Sequence, residues 1–102
     1  MACLVAIYKT PKDPSAFDRY YFATHVPLAK QLPGLRKYTV NTGAVFTPTG
    51  PGPIYLIGTL HFDDITTLRT ALSSPAGRAV AADLKNFADR GVELLFFEER
   101  EV

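Results

Sequence analysis

The apolar positions of this chain change period several times, and each change marks an element. Residues 2–8, ACLVAIY, are apolar on both alternating sets: Leu4, Ala6 and Tyr8 share one face, and Cys3, Val5 and Ile7 share the other. The turn-formers of KTPKDP end the run, which predicts a short strand. Asp13 followed by Pro14 is an N-cap with proline at the first helical position. A helix is therefore predicted to start there and to run towards Leu32, where LPG stops it. LRKYTVNTGAVF and IYLIGTLHF are rich in β-forming residues and predict two strands. TPTGPGP between them reads as a loop, so the two strands form a long-looped hairpin. DDITTLRTAL carries Ile65, Leu68 and Leu72 at helical spacing. SSPAGRAVAADLKNFADRG opens again at Ser74 and Pro75 and is predicted to end on Gly91. VELLFFEE is the last strand.

The order β-α-β-β-α(α)-β predicts an α+β domain over residues 1–102, the ferredoxin-like split βαβ arrangement. Helices should cover one face of a four-stranded antiparallel sheet. The uncovered face of such a sheet is normally polar. Here Ile54, Leu56 and Leu60 oppose Tyr55 and Ile57, and Leu94 and Phe96 oppose Leu95 and Phe97. One helix layer cannot cover both apolar faces. A second copy is the simplest cover, which predicts a homodimer whose two sheets pack into a dimeric α/β barrel.

The first helix breaks two of its own rules. At about 100° per residue, Phe17, Tyr21, Thr24, His25 and Leu28 gather on the side that should face the sheet. An imidazole thus sits on the apolar stripe, as an i, i+4 neighbour of Tyr21. Pro27 cannot donate to the Ala23 carbonyl and is expected to push Val26 out of helical geometry, at about 3 kcal/mol. The helix is predicted to kink or restart near His25, opening a gap of the kind a ligand pocket needs. On the second strand Arg36, Tyr38, Val40 and Thr42 share one face. If that face meets the helix, Tyr38 approaches His25, and Tyr8 can join them.

These positions give the candidate site. His25 is the candidate proton-transfer residue and Tyr38 its catalytic hydrogen-bond partner. Tyr8, Phe17, Tyr21, Leu28 and Arg36 are candidate substrate-binding residues, with further apolar walls from Ile57 and Phe62. Each has a plainer reading: a core histidine with a satisfied partner, packed tyrosines, and an arginine that caps carbonyls or pairs with an acid.

Composition narrows the partners. The chain has 102 residues, 47% of them hydrophobic and 21% charged, which is globular rather than disordered. Its 11 basic and 10 acidic side chains form no basic run and no acidic tail, so neither nucleic acid nor an anionic membrane surface is an expected partner. The apolar start is too short to span a membrane and lacks a basic leader and cleavage site, which gives the expectation of a soluble cytoplasmic protein. The one cysteine, Cys3, allows no internal disulfide and reads as packing. His25 and His61 lie far apart without ligand spacing, and no glycine-rich phosphate loop follows a strand. No metal and no cofactor is expected, although a single axial histidine for haem leaves no sequence signal.

YKTPKDPSAFDRYYFATHVPLAKQLPGLRKYTV resembles the EthD family, whose name comes from a protein encoded beside an ether-degrading cytochrome P450 system. The shared pattern is DP..FD.YY...H.PL...LPGLR.Y, followed later by SP.GR....DL..FA, in the right order and spacing over nearly the whole chain. The resemblance implies a dimeric α/β barrel, with His25 and Pro27 recurring as a motif. It also implies association with the degradation of small organic compounds, with oxidoreductase roles. Relatives of the fold include cofactor-free monooxygenases, lactone isomerases, and fungal dehydratases or decarboxylases of aromatic polyketides. Three readings stay open. The first is a cofactor-independent enzyme, oxidoreductase, monooxygenase or isomerase, acting on a small hydrophobic or aromatic metabolite. The second is a non-catalytic accessory protein holding such a compound for a separate oxygenase. The third is a structural dimeric module with a filled core.

Overall fold

The computed structural model describes residues 1–102. In chain order its elements are β1 (Ala2–Lys9), α1 (Pro14–Tyr20), a π-turn (Tyr21–His25), α2 (Val26–Ala29), β2 (Lys37–Val40), β3 (Phe46–Thr47), β4 (Gly50–Pro51), β5 (Ile54–Phe62), α3 (Ile65–Ser73), α4 (Pro75–Asp83), a 3₁₀ turn (Leu84–Asn86) and β6 (Val92–Glu98). β1 carries no charge before Lys9 and lies inside the sheet, antiparallel to β5 on one side and β6 on the other. β2 closes the far edge against β5, giving the order β2-β5-β1-β6. This is the split βαβ sheet: each helical connection joins two parallel strands with a third lying between them.

The helices start where their caps dictate. Asp13 accepts from the Ala16 amide, Asp64 from Thr67 and Ser74 from Gly77, and prolines stand in the first turns of α1 and α4. All four helices lie on the face formed by Leu4, Ala6, Tyr8, Leu60 and Phe62. Fully buried Phe62 and Leu68 each contribute on the order of 1.5–3 kcal/mol there. The other face has no cover in a single chain: Leu95 and Phe97 remain 46% and 44% exposed. No helix is long and apolar enough to cross a membrane.

Several expectations are corrected. Val26 keeps right-handed helical geometry, and its N–H bonds the Tyr21 carbonyl five residues back. The helix does restart near His25 as expected, with α2 opening at Val26 and Pro27 in its first turn; the wider π-turn before it accommodates the proline. The wider turn also changes the inward stripe. Phe17, Tyr21, His25, Ala29 and Leu32 are buried, whereas Thr24 is exposed and Leu28 only half-buried. The first helix ends at Ala29, short of Leu32, and the last ends at Asp83; Gly91, with φ +99°, serves the turn into β6 instead. The 41–53 loop contains the small β3–β4 hairpin. A bulge between Tyr8 and Lys9 breaks the alternation of β5. It brings Tyr55 to α1, where its ring meets Phe17 and its hydroxyl donates to Asp18 at 2.9 Å.

Candidate functional site

The π-turn delivers His25 to the sheet side, where it is 3% exposed. Its Nδ1 lies 2.9 Å from Oδ2 of Asp83, the last residue of α4. Asp83 is 6% exposed, and its Oδ1 accepts from the Tyr20 hydroxyl at 2.5 Å and from Asn86 Nδ2 at 3.0 Å. Burial pushes the Asp83 carboxyl up, but the hydrogen bonds from Tyr20, Asn86 and His25 outweigh it and hold the group below its ordinary range. Burial pushes His25 down, against the pull of Asp83. The pair is therefore a neutral imidazole donating Nδ1–H to an anionic carboxylate, which fixes the tautomer and leaves a lone pair on Nε2. Phe87 at 4.6 Å and Tyr21 at 5.5 Å, centroid to centroid, hold the ring in place.

Beside this dyad a cavity of about 100 Å³ lies between the sheet and helices α2 and α4. Twelve of its fourteen lining residues are hydrophobic, among them Leu4, Ala6, Leu60, Val80, Leu94 and Phe96, and Tyr8, His25 and Tyr38 bring its polar groups. Leu94 and Phe96, on the edge strand, are 46% and 45% exposed, so the mouth opens there. No hydrogen bond engages His25 Nε2 or the Tyr8 hydroxyl. No enclosed side-chain nitrogen or oxygen lacks a partner, so both atoms must reach accessible space. The Tyr38 hydroxyl is different: it lies 2.5 Å from the Tyr21 hydroxyl. The two phenols meet above Gly58, where a Cβ would sit 3.0 Å from Tyr21 Oη. Burial raises all three tyrosines above their ordinary value, so each stays protonated at neutral pH.

The structure thus brings His25, Tyr8 and Tyr38 together around one cavity and puts Tyr21 behind Tyr38 as its partner. Phe17 packs behind Tyr8 with ring centroids 5.5 Å apart and does not line the cavity, and neither does Leu28. Arg36 is exposed and forms a two-pronged pair with Asp63 at 3.0 and 2.8 Å, away from the cavity. Ile57 lies in register with Ile7 on the opposite sheet face, and Phe62 belongs to the core around Leu68, so neither is a wall. Sequence reasoning missed Asp83, Tyr20, Asn86 and Gly58. The signal for Asp83 was the DL..FA stretch, which also holds Phe87. A larger cleft of about 510 Å³ lies under the 41–53 loop. Its carboxylate, Asp18, is already taken by Tyr55.

The model of the EthD domain matches residues 9–91, a span that includes His25, Tyr38 and Asp83. This chain belongs to the EthD family. An uncharacterized 11.0 kDa protein of the thcB-thcC intergenic region in Rhodococcus erythropolis is 37% identical over 97 residues, 94% of this chain and 92% of its own length. The crystal structure of an EthD family protein from Bacillus halodurans is 36% identical, with a TM-score of 0.89 over 98% of this chain and 99% of that one. SnoaB of Streptomyces nogalater, a cofactor-independent oxygenase, shares the fold. It is 18% identical with a TM-score of 0.69, over 99% of this chain and 94% of its own.

Proposed function

We propose that this EthD protein binds a compact cyclic or aromatic metabolite in the cavity between the first helix and the sheet, and moves a proton on it without a cofactor. The observation that carries this reading is a pair of unpartnered polar groups in one apolar cavity: the Tyr8 hydroxyl, a donor, and His25 Nε2, an acceptor. The pair suits a substrate with a carbonyl beside an acidic C–H. The C–H bond breaks and its proton goes to Nε2. The electron pair moves onto the carbonyl oxygen, which takes the Tyr8 hydrogen bond. The imidazolium so formed stays beside the Asp83 carboxylate, the orienting role an acid plays towards histidine in hydrolytic triads. Returning the proton at another carbon completes an isomerisation. Tyr38, tied to Tyr21, shapes and positions, and Tyr8 takes the polar role. Phe17, Leu28 and Arg36 have no contact with substrate in this reading.

Volume limits the substrate. About 100 Å³ is below the roughly 150 Å³ of an engineered cavity that holds benzene, so a single ring, protruding at the Leu94–Phe96 mouth, is the expected occupant. The bare outer sheet face supports a homodimer as the working form.

The test is solvent-deuterium exchange into a small cyclic β-diketone, followed by NMR. The chain should accelerate exchange, His25→Gln should abolish the acceleration, and Tyr8→Phe should reduce it roughly tenfold or more. Binding without exchange would favour the accessory, holding role. If no single-ring probe shifts the resonances of cavity residues, the cavity is packing and the reading fails.

A further inference from the structure

Three strands bring a second group of chemically active side chains to one end of the sheet, on the face opposite the cavity. Cys3 of β1 and His61 of β5 are direct cross-strand partners, with Sγ 3.4 Å from Nδ1. Glu99 follows β6 and is held level with Met1 by its backbone N–H, which donates to the Met1 carbonyl at 2.8 Å. Its side chain therefore falls on the Cys3 face, two residues beyond Phe97. The thiol, imidazole and carboxylate donor atoms all lie within 4.8 Å of one another.

The geometry suits a tetrahedral ion. Zinc–sulfur and zinc–nitrogen bonds of about 2.3 and 2.0–2.1 Å at a tetrahedral angle place the two donor atoms about 3.5 Å apart. Cys3 and His61 are already at that spacing. Glu99 is exposed, so a rotamer change can close the remaining ångström. Cys3 is 2% exposed, and its thiol faces the other two members of the cluster. A thiolate with an imidazole and one carboxylate is a donor set for zinc rather than for calcium or magnesium. Lys37 is the register partner of His61 on β2, and the N-terminal ammonium lies 4.0 Å from Glu98. These cations, and Arg100 next to Glu99 in the chain, stand near the cluster.

We propose that Cys3, His61 and Glu99 bind one Zn²⁺ ion, with a fourth position left for water. The Cys3 S–H bond gives up its proton to solvent as the sulfur–metal bond forms, and no redox change occurs. The ion ties edge strand β6 to β1 and β5. It binds the folded chain and stabilises it, because the three ligands are assembled only there.

Cobalt(II) reports the site without any activity assay. Chelator-treated full-length protein titrated with Co²⁺ should take up one ion per chain and develop a near-ultraviolet thiolate-to-cobalt charge-transfer band. Zn²⁺ should bleach that band and raise the melting temperature. Cys3→Ser should abolish the band and the thermal shift, and His61→Gln should do the same on a half-exposed residue whose replacement spares the core. Glu99→Gln should weaken Co²⁺ binding roughly tenfold or more. Natively folded protein that gives no charge-transfer band would overturn the proposal. So would zinc stabilisation that persists in both Cys3→Ser and His61→Gln.

Discussion

Asp83 accepts hydrogen bonds from Tyr20, Asn86 and His25, and the last of these leaves the imidazole one tautomer, with its free lone pair on Nε2. Asp83→Asn keeps the volume but offers an amide that can donate to Nδ1, which moves the ring proton to Nε2. Proton transfer should fall by about 10²–10⁴, with a stability loss of about 1–3 kcal/mol; deuterium exchange and thermal melts read the two effects separately. His25→Gln should be milder on the fold, because glutamine retains a donor for Asp83, and should keep most of the thermal stability while losing ligand turnover. A large fall in melting temperature with unchanged ligand affinity would make His25 structural. The pH dependence has a definite sign. His25 titrates below its ordinary 6.5 in the folded chain. As pH falls, the unfolded chain takes up the proton first. Stability from neutral His25 is thus fully present above about pH 6.5 and is lost as pH drops towards the lowered folded value. The Asp83 contribution survives to lower pH, and is lost only as pH falls below the ordinary 3.8. Urea melts at about pH 7.5 and about pH 5.5 should show a loss in the wild type that His25→Gln largely removes.

Among the elements, the π-turn sets the site by moving the inward stripe to an i, i+4 ladder of Phe17, Tyr21, His25 and Ala29. Strand β5 answers it with Gly58, the gap in which the Tyr21 and Tyr38 hydroxyls meet. Gly58→Ala would press a methyl group against the Tyr21 hydroxyl at 3.0 Å and should cost about 1–3 kcal/mol, or roughly 4–8 °C in Tm per kcal/mol for a chain of this size. It should also disturb the Tyr38 wall of the cavity, visible as altered ligand affinity. The 41–53 loop should behave differently along its length. Phe46 is 70% exposed, and the β3–β4 hairpin packs on nothing in the core. Trimming two or three residues between 47 and 51 should change stability by less than about 1 kcal/mol. Pro53 must stay, since its carbonyl accepts from the Thr10 backbone N–H at 2.9 Å. If trimming abolishes ligand binding, the loop is a lid over the site.

On the scale of the whole molecule, the assembly expected of this chain rests on its outer sheet face. Val5, Ile7 and Ile57 are only half-buried, and Leu95 and Phe97 stand nearly half exposed beside them. Five apolar side chains on one flat face are an unfavourable surface for a lone chain in water. Sedimentation at micromolar concentration should give a homodimer, and Leu95→Glu should yield a monomer that retains the cavity on the opposite face. A wild-type monomer with no concentration dependence would contradict the burial argument and with it the barrel.

The sequence by itself determined the order of the four main-sheet strands and of the helical segments between them, the helix starts at Asp13 and at Ser74–Pro75, and the antiparallel pairing of β2 with β5. It also set the two apolar sheet faces. Each of these follows from local chemistry: proline and side-chain oxygens start helices, glycine and proline make the loop between paired strands, and alternation fixes which residues share a face. His25 was visible as a candidate because an imidazole and a proline stood where an amphipathic helix should be apolar, and Tyr38 because strand alternation put it on a face that could meet that helix. The restart near His25 was legible from Pro27, but only the tertiary structure decided that it runs through a π-turn with Val26 still helical, since no residue spacing announces that wider turn. Only the tertiary structure brought Asp83 to His25 across 58 positions, paired Arg36 with Asp63, and joined Tyr38 to Tyr21, leaving the Tyr8 hydroxyl open. These contacts span separate elements, and their partners are set by how helices seat on the sheet, which local periodicity does not encode.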